Sequence, residues 1–321
     1  MIVIFMKKDY LAIDVGGTNI KYGILDHSGI LLFNDKVPSN CHCLDEFYQI
    51  LDKIIRPNLK RIKGIAVSVP GKVDVRTGTV YFGGALPFLN GATIKKTLEN
   101  KYHILVGVEN DGKSAALAEL WLGSLNDVSN SAVIVLGTMV GGGIILDHHL
   151  IRGSHFQAGE ISFVLDHFRS SGSGQNTIIG NTCSAVKMIE QIATTLDLPD
   201  KKDGKRVYEE IVHGNPQAVE IFENYCYQVA QLIMDLQAVI DVEKVAIGGG
   251  VSAEMILIRE INRQYDKLML ANPVLSKTFT RPKLVQAKFR NSANLYGALY
   301  ALLTQYDKKH NQVDEELNLI R

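Results

Sequence analysis

The sequence has little of the features that assign a chain to several specialised classes of protein. Its 34 basic and 34 acidic residues cancel, so no strong overall field draws it to nucleic acid or to an anionic membrane. Four scattered cysteines in 321 residues are too few for a disulfide framework, which indicates a reducing cytoplasm. The apolar start MIVIFM is too short for a signal core or a membrane span. We expect a cytoplasmic protein whose partners are small molecules or further copies of the chain.

The pair Cys41 and Cys43, separated by a histidine, is the one arrangement of cysteines that invites a metal interpretation. A zinc site needs four ligands, and no second Cys/His cluster follows at a zinc-site spacing. No cysteine lies between Cys43 and Cys183. The spacing therefore favours free cysteines over a metal site.

Strand-like and helix-like segments alternate along the chain, which predicts the α/β class. Strand, glycine turn and strand occur twice, in LAIDVGGTNIKYGIL and in VIVLGTMVGGGIIL, which suggests two similar halves. We expect a smaller lobe over residues 1–110, joined by a C-terminal helix within 293–321, and a larger lobe over 111–292. That last helix is predicted from Ala293 to Tyr306, with a charged tail frayed at its end. A cleft between two lobes is the natural ligand site.

Three glycine clusters each follow a β-branched strand, at Asp14–Thr18, Leu136–Gly143 and Ile247–Ser252. The first cluster lacks the G-x-G-x-x-G spacing of a dinucleotide fold and the G-x-x-x-x-G-K-[ST] spacing of a Walker loop. A single glycine cluster is usually just a tight turn. Three of them in two similar halves indicate phosphate binding, because glycines let backbone N–H groups approach phosphate oxygens. The third cluster is expected to open a helix whose N-terminus favours an anion.

Together these motifs resemble the ROK family (repressors, open reading frames and kinases), whose kinases act on sugars and have the actin/hexokinase-like ATPase fold. The likeness runs from about Leu11 to Ala298, which is nearly the whole chain. It implies two actin-like (ribonuclease H-like) lobes with a cleft between them. It also implies ATP as the phosphoryl donor, Mg²⁺ as the cofactor and a homodimer as the assembly.

The resemblance implies an ATP site in the glycine clusters. Its predicted residues are Gly16, Gly17, Thr18, Lys21, Gly137, Thr138, Gly141, Gly249 and Gly250. Asp14 would hold Mg²⁺ through water, because Mg²⁺ on the phosphates is needed for charge neutralisation. Two alternatives stay open, since Asp14 can instead brace the glycine turn and Lys21 can be merely solvated.

The segment around Asn110 and Asp111 is the predicted catalytic element. From sequence alone, Asn or Asp before a helix is most often a cap. The resemblance instead makes Asp111 the general base and Asn110 a ligand of a sugar hydroxyl, and a carboxylate suits a nucleophile that must lose a proton. The resemblance also places Gly71 and Asn90 in the sugar site, while Asp74 is expected to be structural.

The second sugar segment of the family usually reads Ala-Gly-Glu-Ile-Gly-His and is followed by a cysteine-rich zinc motif. Here Glu160 is kept as a predicted sugar ligand, Phe163 stands in the histidine slot, and residues 168–176 replace the zinc motif. We therefore predict no zinc. Phe163 offers an apolar face on which a sugar can stack, while His167 is an alternative ligand at this place.

The departure at Phe163 suggests a substrate substituted at its first carbon, such as a β-glucoside or disaccharide phosphorylated on its 6-hydroxyl. Glucose, another hexose or an N-acylated hexosamine remain as alternatives. We do not expect the sugar-responsive repressor that the resemblance also offers, since about ten residues and no basic helix precede the first strand. A non-catalytic sugar sensor stays open, because Met139 replaces a glycine of the second phosphate loop.

Overall fold

The computed structural model of the chain describes residues 8–166 and 178–319. Their contacts divide the chain into two units. Unit 1 comprises Met1–Leu122, Arg152–Gln157 and Ser292–Arg321, and unit 2 comprises Gly123–Ile151 and Ala158–Asn291.

Strands and helices alternate as the sequence predicts. The strands are β1 (Asp9–Val15), β2 (Asn19–Leu25), β3 (Leu31–Pro38), β4 (Ile62–Val69), β5 (Lys72–Asp74), β6 (Thr79–Tyr81), β7 (Leu105–Asn110), β8 (Ser131–Leu136), β9 (Val140–Leu146), β10 (His149–Ile151), β11 (Lys244–Gly248) and β12 (Lys283–Gln286). The helices are α1 (Leu44–Ile55), α2 (Ile94–Tyr102), α3 (Asp111–Trp121), α4 (Ile179–Thr182), α5 (Ala185–Thr195), α6 (Gly204–Val212), α7 (Pro216–Ile240), α8 (Met255–Ala271), α9 (Pro273–Thr278) and α10 (Ala293–Leu319).

The two units contain sheets of the same design. The sheet of unit 1 has the order β3-β2-β1-β4-β7, and that of unit 2 has the order β10-β9-β8-β11-β12. In each sheet the first three strands of the unit form an antiparallel meander. The first of them pairs in parallel with the fourth strand, and the fourth pairs in parallel with the fifth. The predicted similarity of the two halves and the predicted α/β class are therefore confirmed.

The central strand β1 shows why its sequence is apolar on both faces. Side chains of a strand point alternately to opposite faces of the sheet. Leu11 and Ile13 pack in the cluster that contains Phe47 of α1, whereas Ala12 packs in the cluster that contains Leu299 of α10. A strand buried on both faces reads as a continuous apolar run.

Unit 2 has its own core, in which the long helix α7 packs against α5 and α8. The start of α7 follows from its sequence, because the side chain of Asn215 accepts hydrogen bonds from two backbone N–H groups of the first turn. Pro216 occupies the first helical position, where its missing N–H is not needed. The helix ends at Asp241, which has a left-handed backbone.

Two predicted boundaries differ from the structure. The predicted boundary after residue 110 would separate α3 from unit 1, but α3 packs on α10 and belongs to that unit. Helix α10 continues past Tyr306 to Leu319, since no proline or glycine in the charged tail interrupts it.

In the described part of the chain, we find no helix with the length and apolar character that crossing a membrane requires.

Candidate active site

Asn110 and Asp111 lie where β7 ends and α3 begins. The side chain of Asn110 is both the helix cap and a connecting group: its Oδ1 accepts from Lys113 N at 3.0 Å, and its Nδ2 donates to Gly71 O and to Asp111 Oδ1, each at 2.9 Å. Asp111 Oδ1 also accepts from Gly112 N at 2.8 Å. The cap function therefore falls to the amide of Asn110, and the carboxylate of Asp111 is held in one orientation beside it.

The strand register places Asp14 near this point. In the parallel ladder, Asp14 of β1 pairs with Ser68 of β4, and Ser68 pairs with Glu109 of β7. Neighbouring strands lie about 4.8 Å apart. The carboxyl ends of β1 and β7 therefore present Asp14 and the Asn110–Asp111 pair at the same edge of the unit 1 sheet.

Phe82 connects Asn90 to Gly71, and Gly71 in turn contacts Asn110 of the predicted catalytic element. Asn90 Oδ1 accepts from Phe82 N at 2.9 Å. Gly71 has a φ of +93°, and a Cβ there would lie 2.5 Å from Phe82 O, so only glycine allows this close approach. The predicted sugar-site residues of unit 1 thus form one connected network, from Asn90 through Phe82 and Gly71 to Asn110.

Asp74 does not take part in that network. Its carboxylate accepts from the backbone and the side chain of Arg76, between 3.0 and 3.2 Å, and braces the turn between β5 and β6. The prediction that Asp74 is structural fits these contacts.

The first glycine turn connects β1 and β2. Gly16 N donates to Asn19 O at 3.1 Å, and Ser39 N donates to Thr18 O at 2.9 Å. Ser39 Oγ also donates to Gly16 O at 2.6 Å. The turn is therefore closed from inside by Gly16 and braced from the end of β3, while Gly17 and Thr18 are exposed at its tip.

Asp14 lies in the buried strand β1, two residues before Gly16, and is only 6% exposed. Its Oδ1 accepts from Asn294 Nδ2 at 2.9 Å, and its Oδ2 lies 3.5 Å from Lys21 Nζ. Burial raises the pKa of the Asp14 carboxyl above its ordinary value, although Asn294 and Lys21 act in the opposite direction. Lys21 is therefore an ion-pair partner of Asp14 and not merely a solvated side chain.

The two glycine turns of unit 2 adjoin each other. The turn between β8 and β9 is closed by a hydrogen bond from Gly137 N to Met139 O at 3.0 Å. Gly249 has a φ of +98°, and a Cβ there would lie 2.0 Å from the carbonyl oxygen of Leu136. Because Leu136 directly precedes Gly137, the second and third glycine clusters meet at the carboxyl ends of β8 and β11.

The remaining predicted phosphate residues lie on or after these turns. Thr138 is exposed at the tip of the second turn, and Gly141 is already within β9, paired with Val135. Gly250 begins a short 3₁₀ helix at Gly250–Ala253, and α8 starts only at Met255. The third cluster therefore opens a 3₁₀ turn, and the α-helix that the sequence predicts begins only after that turn.

Glu160 directly precedes a single 3₁₀ turn in unit 2, and Phe163 is the last residue of that turn. Phe163 N donates to Glu160 O at 3.1 Å. Phe163 is 58% exposed and Glu160 is half-buried. His167 and the replaced zinc segment at 168–176 lie outside the described residues. Among the residues that the structure describes, no group of three or more His, Cys, Asp or Glu side chains is arranged to hold a metal ion.

Sequence reasoning missed four residues at these sites, namely Phe82, Glu109, Arg152 and Asn294. Glu109 is 1% exposed and lies directly before Asn110, so its position alone was a usable signal. Arg152 and Asn294 contact their partners from 43 and 280 residues away along the chain. No local pattern reveals such long-range pairs.

The duplicated sheet, with a glycine turn after the first strand in each unit, defines an α/β protein with actin-like lobes. The ROK family model matches residues 10–305. The chain therefore belongs to the ROK family.

Individual relatives are identical to this chain at about a quarter of the aligned positions. A β-glucoside kinase of Listeria innocua is 26% identical over 300 residues, which cover 93% of this chain and 98% of the relative. A glucokinase of Halalkalibacterium halodurans is 26% identical over 285 residues, which cover 81% and 86%. Among solved structures, a ROK family protein from Streptococcus pneumoniae in complex with sucrose has a TM-score of 0.83 at 26% identity and covers 94% of this chain and 99% of its own.

Proposed function

We propose that the protein is an ATP-dependent sugar kinase that transfers the γ-phosphoryl group to a sugar hydroxyl. The observation that carries the proposal is the fixed carboxylate of Asp111, which accepts hydrogen bonds from Gly112 and Asn110 at the edge of the unit 1 sheet. The membership of the ROK family and the kinase names of its relatives support this assignment.

In the proposed reaction, Asp111 acts as the general base. The sugar hydroxyl gives its proton to the carboxylate while its oxygen forms a bond to the γ-phosphorus, and the bond from that phosphorus to the β–γ bridging oxygen breaks to release ADP. Asn110, Asn90 and Glu160 hold hydroxyl groups, and Gly71 gives the sugar loop its shape. Phosphoryl transfer depends mainly on positioning and charge neutralisation, so a rigidly held base suits it.

The glycine turns are proposed to bind the phosphates of ATP. Gly16 and Gly137 use their own N–H groups inside the turns, so the direct phosphate contacts fall to the exposed tips at Gly17, Thr18 and Thr138. Gly249 and Gly250 line the third cluster, which adjoins the second.

Asp14 is proposed as the residue that holds Mg²⁺. A hard, oxygen-binding cation that keeps several waters needs only one or two carboxylates from the protein, and Asp14 is a buried carboxylate at the phosphate turn. When bound, Mg²⁺ supplies charge neutralisation on the phosphates. Asn294 and Lys21 keep the Asp14 oxygens oriented.

The substrate is proposed to be a glucose-type sugar substituted at its first carbon and phosphorylated on its 6-hydroxyl. Phe163, 58% exposed, supplies an apolar face where members with glucose-type specificity carry a histidine. One relative is a β-glucoside kinase, and the streptococcal structure contains sucrose, a disaccharide joined through its anomeric carbons. Free glucose is the principal alternative, because another relative is a glucokinase.

The base assignment is tested by Asp111→Asn, with ADP release as the assay. We expect kcat to fall by roughly a hundredfold or more while the melting temperature stays close to that of the wild type. Asp45→Asn is the matched control, because Asp45 is an acidic residue in the first turn of α1 and has no proposed role in the reaction. Unchanged turnover in the Asp111 variant would refute the base assignment.

The substrate class is tested with a panel of glucose, mannose, N-acetylglucosamine, N-acetylmannosamine, cellobiose, gentiobiose and an aryl β-glucoside. We expect cellobiose, gentiobiose or the aryl glucoside to give a higher kcat/KM than glucose. A higher kcat/KM for glucose or a hexosamine would refute the anomeric-substituent proposal. If no sugar of the panel caused ADP release, the result would favour a non-catalytic sugar sensor.

A further inference from the structure

Phe82 of unit 1 combines a solvent-exposed aromatic side chain with an unusual backbone conformation. It is 73% exposed and directly follows β6. Its φ is +53°, a left-handed backbone that a bulky residue rarely adopts. Such a conformation persists only where the surroundings determine it, and it is concentrated at ligand-binding and active sites.

Three contacts hold the backbone of Phe82, and two of them come from predicted sugar-site residues. The third is a hydrogen bond that Gly84 N donates to the carbonyl oxygen of Phe82. The N–H of Phe82 donates to Asn90 Oδ1 at 2.9 Å. Its carbonyl oxygen lies so close to Gly71 that a Cβ there would be 2.5 Å away. Gly71 O in turn accepts from Asn110 Nδ2 at 2.9 Å, and that amide also donates to Asp111 Oδ1.

The two polar groups of the Asn90 side chain therefore have different roles. Its carbonyl oxygen fixes the backbone of Phe82, and its amide group retains two N–H donors for a sugar hydroxyl. Asn90 thus contacts Phe82 directly, and Asn110 is connected to it through Gly71. The exposed aromatic residue therefore adjoins two of the residues proposed to bind sugar hydroxyls.

We propose that Phe82 is a sugar-binding residue whose ring stacks on the apolar C–H face of the sugar that is phosphorylated. The proposal rests on the proposed function and adds a specificity determinant to it. A pyranose has polar hydroxyls at its edge and C–H groups on its faces, so amide ligands at the edge and an aromatic ring on a face recognise it together. The stacked contact is made in the ground state and in the transition state alike, so it lowers KM and leaves kcat unchanged.

Phe82 and Phe163 are distinguishable by what they select. Phe163 is proposed to face a substituent at the first carbon, so its replacement alters the ratio of activities toward a glucoside and toward glucose. Phe82 is proposed to face the phosphorylated ring itself, so its replacement weakens both substrates equally.

The first test compares Phe82→Ala and Phe82→Trp with the wild type. We expect Phe82→Ala to raise the KM for every accepted sugar by roughly three- to tenfold, the size of an aromatic stacking contact, with kcat and the KM for ATP unchanged. Phe82→Trp should restore a KM close to that of the wild type. The matched control is Phe33→Ala, which removes another exposed aromatic of the same unit and should leave the KM for sugar unchanged.

A second measurement guards against a misfolded alanine variant. The wild-type chain has one tryptophan, so Phe82→Trp adds a second fluorophore whose signal is obtained against the wild type as the baseline. Saturating sugar without ATP should change this additional fluorescence, and the concentration at half effect should match the dissociation constant from calorimetry.

The outcomes separate the two proposals. An active wild-type kinase with an unchanged sugar KM in Phe82→Ala, or with no sugar-dependent signal from Phe82→Trp, would overturn the stacking proposal while the kinase assignment stands. A wild-type protein that binds sugar and changes the fluorescence of Phe82→Trp, but phosphorylates no member of the panel, would support the stacking and overturn the kinase.

Discussion

The guanidinium of Arg152 donates two hydrogen bonds to one oxygen of the Glu109 carboxylate, from Nε at 2.9 Å and from Nη2 at 2.6 Å. The other oxygen of Glu109 accepts the backbone N–H of Asn110 at 3.0 Å. Glu109 is 1% exposed, so its charge is taken out of water and depends on Arg152 for compensation. This buried pair thus supports the backbone that carries the proposed base, Asp111.

Breaking that pair from one side should be worse than removing both charges. Arg152→Met leaves the buried Glu109 carboxylate without its partner, and we expect a loss of roughly 3 kcal/mol in the free energy of unfolding, together with a lower kcat. The double variant Arg152→Met with Glu109→Gln retains an acceptor for Asn110 and should recover part of both losses. Denaturant unfolding and ADP release measure the two effects.

The control for this prediction is Arg206→Met. Arg206 contacts Glu209 and Glu210 on the exposed face of α6, where an ion pair contributes at most about 1 kcal/mol. If Arg152→Met were no more damaging than Arg206→Met, the pair at Glu109 would not be buried in solution.

A second prediction concerns Asp14, whose pKa is raised by burial. A carboxyl with a raised pKa in the folded state binds its proton more tightly there than in the unfolded chain, so its ionisation lowers stability as the pH rises above the ordinary value of about 3.8. Asp14→Asn removes the buried charge and retains the acceptor for Asn294. We therefore expect this variant to unfold at a higher temperature than the wild type at pH 7, although its kinase activity is lower.

The pH dependence makes this prediction specific. At pH 3, below the ordinary pKa of about 3.8, the wild-type carboxyl is mostly protonated in the folded and the unfolded chain, so the difference in melting temperature between Asp14→Asn and the wild type should shrink. Thermal unfolding without nucleotide, measured from pH 3 to pH 8, gives the comparison. A difference that grows toward acid pH would mean that the folded chain depresses the pKa of Asp14.

These two cases illustrate which parts of the site are readable from sequence. The sequence predicts the glycine turn after Asp14 because strand, glycines and threonine are contiguous, and it predicts that a helix follows Asn110. The residues that orient both acids come from elsewhere: Asn294 lies 280 residues from Asp14, and Arg152 lies 43 residues from Glu109. A local sequence pattern does not identify such partners, because they come together only when the chain folds.

Much of the fold is predictable because its signals are local in the sequence. A central strand that is buried on both faces, such as β1, has an unbroken apolar sequence. The glycine turn in each unit predicts that the strands on either side of it are antiparallel neighbours. The domain boundary was not predictable, because α3 joins unit 1 through a close approach to α10 that no periodicity reveals. The backbone of Phe82 was equally hidden, since its left-handed conformation depends on Asn90 and Gly71.

The close approach of α3 and α10 gives the third prediction, through Gly297. A Cβ at Gly297 would lie 1.7 Å from the carbonyl oxygen of Ser114 in α3, so Gly297→Ala can be accommodated only if the two helices move apart. Such overpacking costs about 3 kcal/mol or more in the free energy of unfolding. Because α3 begins with Asp111, the same displacement should lower kcat.

Gly250→Ala is the matched substitution. A Cβ at Gly250 meets no atom within 4 Å, and the backbone there does not have a positive φ. Its effect on the free energy of unfolding should therefore stay within about 0.5 kcal/mol, while any change in KM for ATP reports the proposed nucleotide contact. Equal stability of the Gly297 and Gly250 variants in denaturant would mean that α3 does not pack on α10 at this glycine, and the assignment of α3 to unit 1 would lose its physical basis.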